Sequence, residues 1–180
     1  MPEDLHELHE HAVKGQHDPG LAPVSLTMAI LAVLVAGVTL VGHRAHTEEV
    51  LLQTKATDQW AYFQAKNIRR HNYDLFLDLL TLNAGKNGER ADLLKKKYEK
   101  QIERYKDEQK EIEVEARKLV AESAHERKRA DRFDLGEGVL EAALVLASIT
   151  LLTRRRIFWQ IGMALGLAGL VVALTGIWVH

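Results

Sequence analysis

Cysteine is missing altogether from the 180 residues, which removes disulfide scaffolds, thiolate nucleophiles and cysteine-held zinc from consideration. An excess of one charge is missing too: 24 lysines and arginines face 25 aspartates and glutamates, leaving no net field to favour nucleic acid. The chain also lacks a phosphate-cradling glycine loop, a nucleophile motif and a dinucleotide fingerprint. With no convergent catalytic set, the sequence reads as non-enzymatic, with no cofactor and no nucleic-acid partner.

What is present is segregated. A hydrophobic share of 47% and a charged share of 27% would suit an ordinary globular domain, but the two classes occupy different stretches. The long apolar runs fall in 21–42 and 135–179, while 43–134 holds 20 of the 24 basic and 18 of the 25 acidic residues. The expected fold is an all-α integral membrane protein: three transmembrane helices, with a long antiparallel coiled-coil hairpin inserted between the first and the second.

The first span covers 23–42. From Val24 to Gly42 no side chain is ionisable, and at about 1.5 Å per residue the run matches a hydrocarbon core of about 30 Å. The preceding tail, 1–22, carries Glu3, Asp4, Glu7, Glu10 and Asp18 against Lys14, opposite to the basic flank of a signal peptide. The second span, 135–153, must stop at Thr153 before Arg154, Arg155 and Arg156. The third covers 157–179, with Trp159 and Trp178 about 28 Å apart along a helix, one for each interface. Gly162, Gly166 and Gly169, Ala143 and Ala147, and Ala32 and Ala36 allow close helix contact within a bundle or between copies.

The insert, 43–134, breaks once, at the turn 83–88 (Asn83-Ala84-Gly85-Lys86-Asn87-Gly88). Before the break, Ala61, Ala65, Ile68, Asn72, Leu75, Leu79 and Leu82 keep the 4-3 spacing of a coiled-coil seam. After it, Leu94, Tyr98, Ile102, Tyr105, Gln109, Ile112, Ala116 and Leu119 form the facing stripe, with one extra residue near Tyr98. A narrow seam with polar Asn72 and Gln109 buries little in a lone hairpin, so a homo-oligomer is expected.

The most distinctive string is Thr57-Asp58-Gln59-Trp60-Ala61-Tyr62-Phe63-Gln64-Ala65-Lys66-Asn67-Ile68. A second is Leu146-Ala147-Ser148-Ile149, then Leu151-Leu152-Thr153-Arg154-Arg155-Arg156, a tryptophan and a Gly-rich apolar helix. Together with the acidic, histidine-containing tail, these resemble the bacterial family named domain of unknown function 4337 (DUF4337), over nearly the whole chain. The resemblance implies a bacterial integral membrane protein with this order of elements. It carries over no catalytic or binding residue.

Three residue groups are candidates. Asp58, Gln59, Trp60, Tyr62, Gln64 and Lys66 place polar and aromatic groups around much of a helix circumference, which suits either contact with an unidentified protein partner or packing within the hairpin. Glu137 and Glu141 share a helical face. With Thr39 and Thr175, similarly deep on the other spans, they define an intramembrane polar cluster, and an ionisable group there costs on the order of 3 kcal/mol. The alternative is that Glu141 reaches the interface and pairs with His43 or Arg44. His6, His9, His11 and His17 lie among tail carboxylates but lack the His-Glu-x-x-His spacing of a zinc protease, so no metal site is assigned.

The basic turn Arg154–Arg156 should stay cytoplasmic, placing the hairpin on the outer face of a bacterial cytoplasmic (inner) membrane. Arg127, Lys128, Arg129 and Arg132 can grip anionic headgroups of the lipid bilayer. The leading functional expectation is an oligomeric scaffold or interaction protein that presents the stalk. A small oligomeric ion channel or proton-coupled carrier using Glu141 is the alternative.

Overall fold

The computed structural model describes residues 21–82 and 88–178, which are all-helical with no strand among them. Helix α1 (Ala22–Leu82), helix α2 (Gly88–Thr153) and helix α3 (Arg156–Thr175) are followed by a short 3-10 turn, Gly176–Trp178. Each helix contains a stretch long and apolar enough to cross a membrane. Pro23 falls in the first turn of α1, where its missing amide hydrogen breaks no intrahelical bond.

The chain divides into two compact units. Among the described residues, unit 1 comprises those up to His46 and those from Arg127 onward, and unit 2 comprises those within Thr47–Glu126. Both α1 and α2 contribute to each.

In unit 1 the three helices pack through small residues. Leu31, Leu140, Ala143 and Ala147 are buried together, flanked by Met28, Leu34, Val35, Val38, Leu144 and Leu165. A second cluster joins Ala45, Ala130, Phe133 and Ala173. Between α2 and α3 the backbones themselves meet. A Cβ added to Gly169 would stand 3.0 Å from the Gly136 oxygen and the Leu140 nitrogen, and one on Gly162 would stand 3.0 Å from the Ala143 oxygen. The glycines at 162, 166 and 169 are therefore consumed by packing inside one chain, whereas Ala32 and Ala36 are exposed.

Helices α2 and α3 are joined by Arg154 and Arg155 alone. Arg154 takes φ 54°, the left-handed region in which a side chain costs about 1 kcal/mol or more. Its amide still donates to the Thr150 carbonyl at 2.8 Å, closing α2 as a terminal glycine would. Arg154→Gly is expected to stabilise unit 1 by about 0.5–1 kcal/mol, read as a raised thermal midpoint in detergent. A lowered midpoint would mean that the guanidinium contributes more than the backbone strain costs.

In unit 2, α1 and α2 pair antiparallel, as contacts from Ser123 to the Glu49 carbonyl, Lys66 to Glu108 and Tyr73 to Tyr98 require. On α2 the inward residues are those the stripe predicts: Ile102, Tyr105, Gln109, Ile112, Ala116 and Leu119 are buried, and Leu94 and Tyr98 are half-buried. On α1 the inward row is different. Leu52, Ala56, Gln59, Phe63, Lys66, Arg70, Tyr73, Leu77 and Leu80 are buried or half-buried at an unbroken 4-3 spacing. The expected row from Ala61 to Leu82 is exposed throughout. The two registers differ by two residues, about 200° around a helix.

The physical reason lies in how the interior is made. Lys66 and Arg70 enter it because α2 offers them Glu108 and Gln109, with the Tyr105 ring also facing the Lys66 ammonium. An apolarity count along one arm scores these positions as outward, since it does not see the partners on the other arm.

Candidate functional site

The Trp60 segment is split between the two faces of α1. Gln59 is half-buried and Lys66 buried, both on the side turned to α2, while Asp58, Tyr62 and Gln64 are exposed. Trp60 lies half-buried at the boundary, edge-on to Phe63 with ring centroids 5.6 Å apart. The Arg117 guanidinium sits 5.9 Å from the Trp60 ring centre and is held there by Glu113 at 2.8 Å. Cation–π attraction of this kind contributes about 0.5–1 kcal/mol at a partly exposed site.

Lys66 is the centre of this arrangement. Its Nζ donates to Glu108 Oε2 at 2.5 Å and lies 5.1 Å from the ring centres of both Tyr62 and Tyr105. Arg104 reaches the other oxygen of Glu108 at 3.2 Å. One turn further along α1, Arg70 donates to Gln109 Oε1 at 2.9 Å and to Asn67 Oδ1 at 3.1 Å. The Gln109 Nε2 group is buried without a partner among the described residues. Tyr73 stacks on Tyr105 and leans on Tyr98, which also meets Phe76. Arg69, Asn72, Tyr73, Phe76 and Tyr105 line an open polar and aromatic groove of about 400 Å³.

The hydrogen bond to Glu108 raises the Lys66 pKa above the ordinary lysine value, against the opposing effect of burial. The same bond holds the Glu108 carboxyl below the ordinary carboxylate value, with Arg104 assisting. A raised lysine stabilises the fold below its unfolded pKa and loses that contribution as pH rises through the folded value. A depressed carboxylate stabilises above its unfolded pKa and loses that contribution as pH falls through the folded value. The pair therefore works fully from about pH 5 to about pH 10. Glu108→Gln is expected to cost about 1–2 kcal/mol at pH 7. That difference should shrink toward pH 3 in thermal melts of the two proteins, and an equal cost at both pH values would refute the charge-assisted reading.

In unit 1 two of the four residues of the expected polar cluster meet. The Thr39 hydroxyl lies 2.6 Å from Glu137 Oε1 and 2.9 Å from the Val35 carbonyl oxygen. The Thr175 hydroxyl instead donates to its own helix at the Val172 carbonyl. Glu141 is exposed, with no hydrogen-bond or ion-pair partner among the described residues. Two contacts had no sequence signal beyond residue type: His46 Nε2 with Asp134 Oδ2 at 3.0 Å, and the Trp159 indole donating to the Thr27 hydroxyl at 3.1 Å. Glu108, Arg70 and Arg117 were also missed. Antiparallel pairing about the 83–88 break sets Lys66 against Tyr105, with Glu108 one turn further along α2, so opposite charge within one turn of the mirror position was the signal.

No group of three or more His, Asp or Glu side chains converges on a metal-sized space among the described residues. His6, His9, His11 and His17 lie outside them. Between α1 and α3 run two open apolar grooves of about 220 Å³ each, meeting at Leu34 and Leu170. Neither carries a charged side chain.

No curated protein and no solved structure matches the chain. A family model does, over residues 21–179. That span takes in all three helices, the Trp60 segment and the arginine turn, and the chain belongs to the family described as Domain of unknown function (DUF4337).

Proposed function

We propose that the chain is a multi-pass protein of the bacterial cytoplasmic (inner) membrane that serves as a non-enzymatic, oligomeric scaffold. Three transmembrane helices anchor it in the lipid bilayer, and an antiparallel coiled-coil hairpin forms the stalk presented to an unidentified protein partner. The observation that carries this reading is the contrast between the two surfaces. Unit 1 turns large aliphatic side chains outward on every helix, among them Val33 at 72% and Leu167 at 68% exposure, a coat that suits hydrocarbon and not water. Unit 2 carries Lys–Glu and Arg–Glu pairs along the outside of α2, and most of the exposed large apolar side chains of its α1 arm lie in one narrow row from Ile68 to Leu82.

Arg127, Lys128 and Arg132 then meet anionic headgroups on the stalk side. On this reading the basic Arg154–Arg156 turn faces the cytoplasm and the stalk lies on the outer face, as the positive-inside rule favours.

A second reading, an oligomeric channel or proton-coupled carrier, draws on Glu141, an ionisable side chain exposed in the apolar end of α2 without a partner among the described residues. A carboxyl group in that position calls for a neighbour. The scaffold reading expects Glu141→Gln to leave cation flux into liposomes unchanged, and a fall in flux would favour the carrier.

The direct test uses the absence of cysteine. A Lys96→Cys chain, altered at an exposed stalk position, should resist carbonate extraction and react with a membrane-impermeant maleimide in spheroplasts. Release by carbonate would end the membrane reading, while protection until lysis would reverse the orientation.

A further inference from the structure

The face of α1 opposite the intrachain seam of unit 2 carries the more regular apolar row. Ala61, Ala65, Ile68, Asn72, Leu75, Leu79 and Leu82 recur at a 4-3 spacing. Ile68, Leu75, Leu79 and Leu82 are 61%, 60%, 54% and 83% exposed. Tyr62 and Phe76, about half exposed, flank the row. In heptad terms Ala65, Asn72 and Leu79 take position a, and Ala61, Ile68, Leu75 and Leu82 take position d. The row is a second coiled-coil seam on a helix whose first seam is already filled by α2.

We propose that this row is the contact with a second copy of the same chain, as a parallel, in-register pair of α1 helices in which Asn72 meets Asn72. The polar position selects the partner. A carboxamide both donates and accepts, so two copies of Asn72 at one height satisfy each other across a two-fold axis, and a single asparagine at an a position is a known means of fixing register and copy number. Slipped by one heptad, or antiparallel, each Asn72 would face alanine, isoleucine or leucine and lose those bonds.

The flanks agree with a parallel pair. Residues at g approach the e residue five positions on in the partner helix, which brings Gln64 to Arg69 and His71 to Phe76 with no like charges opposed. This inference rests on the membrane reading above in one respect: copies anchored with the same orientation present their α1 helices in the same direction, which makes the parallel arrangement the accessible one.

The test is a cysteine scan of the full-length chain in native membranes. Single Cys variants at Ala61, Ile68 and Leu75 are oxidised with copper phenanthroline beside controls at Lys100 and Lys110, exposed on α2. Disulfide-linked dimers at all three stripe positions, at least tenfold above the controls, are expected. Each cysteine can only join its own counterpart, so positions spread over two heptads report a parallel, in-register seam. Equal yields at stripe and control positions, or dimer at only one of the three, would overturn it.

The double variant Ile68→Asp/Leu75→Asp changes exposed residues and should keep its helical circular dichroism while weakening self-association at least 100-fold by sedimentation in detergent. Unchanged association also overturns the proposal. Asn72→Leu is expected to assemble into mixed sizes in place of one, and a single unaltered size would remove the asparagine layer. The two readings fail differently. Loss of membrane anchoring appears as carbonate release, whereas a wrong seam appears as a flat scan in a chain that stays in the membrane.

Discussion

Gly136→Val is expected to separate α2 from α3 at a cost of about 3 kcal/mol or more. A Cβ at this position would lie 2.6 Å from the Ala173 Cβ and 2.8 Å from the Ala173 nitrogen and Cα. Backbone cannot rotate away as a side-chain tip can, so the helices must part, and the contacts of Gly169 with Leu140 and of Gly162 with Ala143 loosen with them. Overpacking a close contact ordinarily costs about 1–3 kcal/mol and more where backbone is the obstacle. Two comparisons sharpen the test. A Cβ on Gly166 would clash with the end of Leu31, a movable side chain, and touch the Ala143 Cβ at an ordinary 3.8 Å, and one on Gly138 would meet nothing within 4 Å. Unfolding by dodecyl sulfate titration from mild detergent should rank Gly136→Val well below Gly166→Ala, with Gly138→Val near wild type. Equal midpoints for the 136 and 138 variants would disprove the close backbone approach.

Phe133→Ala should be comparably severe, about 3–5 kcal/mol. Phe133 is the one large side chain in a cluster otherwise made of Ala45, Ala130 and Ala173. Its ring also stands 3.2 Å from where a Cβ on Gly176 would be, and its own Cβ lies 3.3 Å from the corresponding point on Gly42. Alanines cannot reach across the space that the ring leaves, so the cavity term dominates whether lipid or water surrounds unit 1. Phe133→Leu should recover more than half of the loss in the same titration. If alanine and leucine behave alike, the aromatic edge contacts matter more than the volume.

The helix ends were legible in the sequence because each has a local chemical cause. Three arginines stop α2 at Thr153, and the glycine-flanked stretch after Leu82 separates α1 from α2. The α2 stripe was legible because Ile102, Ile112, Ala116 and Leu119 are both apolar and inward. The face of α1 was not. Its inward row contains Lys66 and Arg70, acceptable only because Glu108, Gln109 and the tyrosines of α2 receive them, and that compensation lies about 40 residues away in the chain. Of the polar groups in unit 1, counting residues sets Thr39, Glu141 and Thr175 at similar depth, whereas Thr39 meets Glu137. Rotation about the helix axis decided that Glu141 faces outward, and a 3.6-residue period read over a run apolar on all sides leaves that angle undetermined.

The two-residue connection between α2 and α3 also has a kinetic consequence. Its contacts, Gly136 with Ala173 and Gly162 with Ala147, close short loops, so this pair can form as soon as both segments exist. Thr39 and Glu137, by contrast, are 98 residues apart, and Thr27 and Trp159 are 132 apart. Bringing such distant positions together directly carries a large loop-closure entropy, which falls once the intervening chain has paired. Pairing that begins near the 83–88 break shortens the remaining loop with every heptad gained, so α1 joins the α2–α3 pair last. Weakening the Lys66–Glu108 region should therefore slow the assembly of unit 1 without changing any residue inside it.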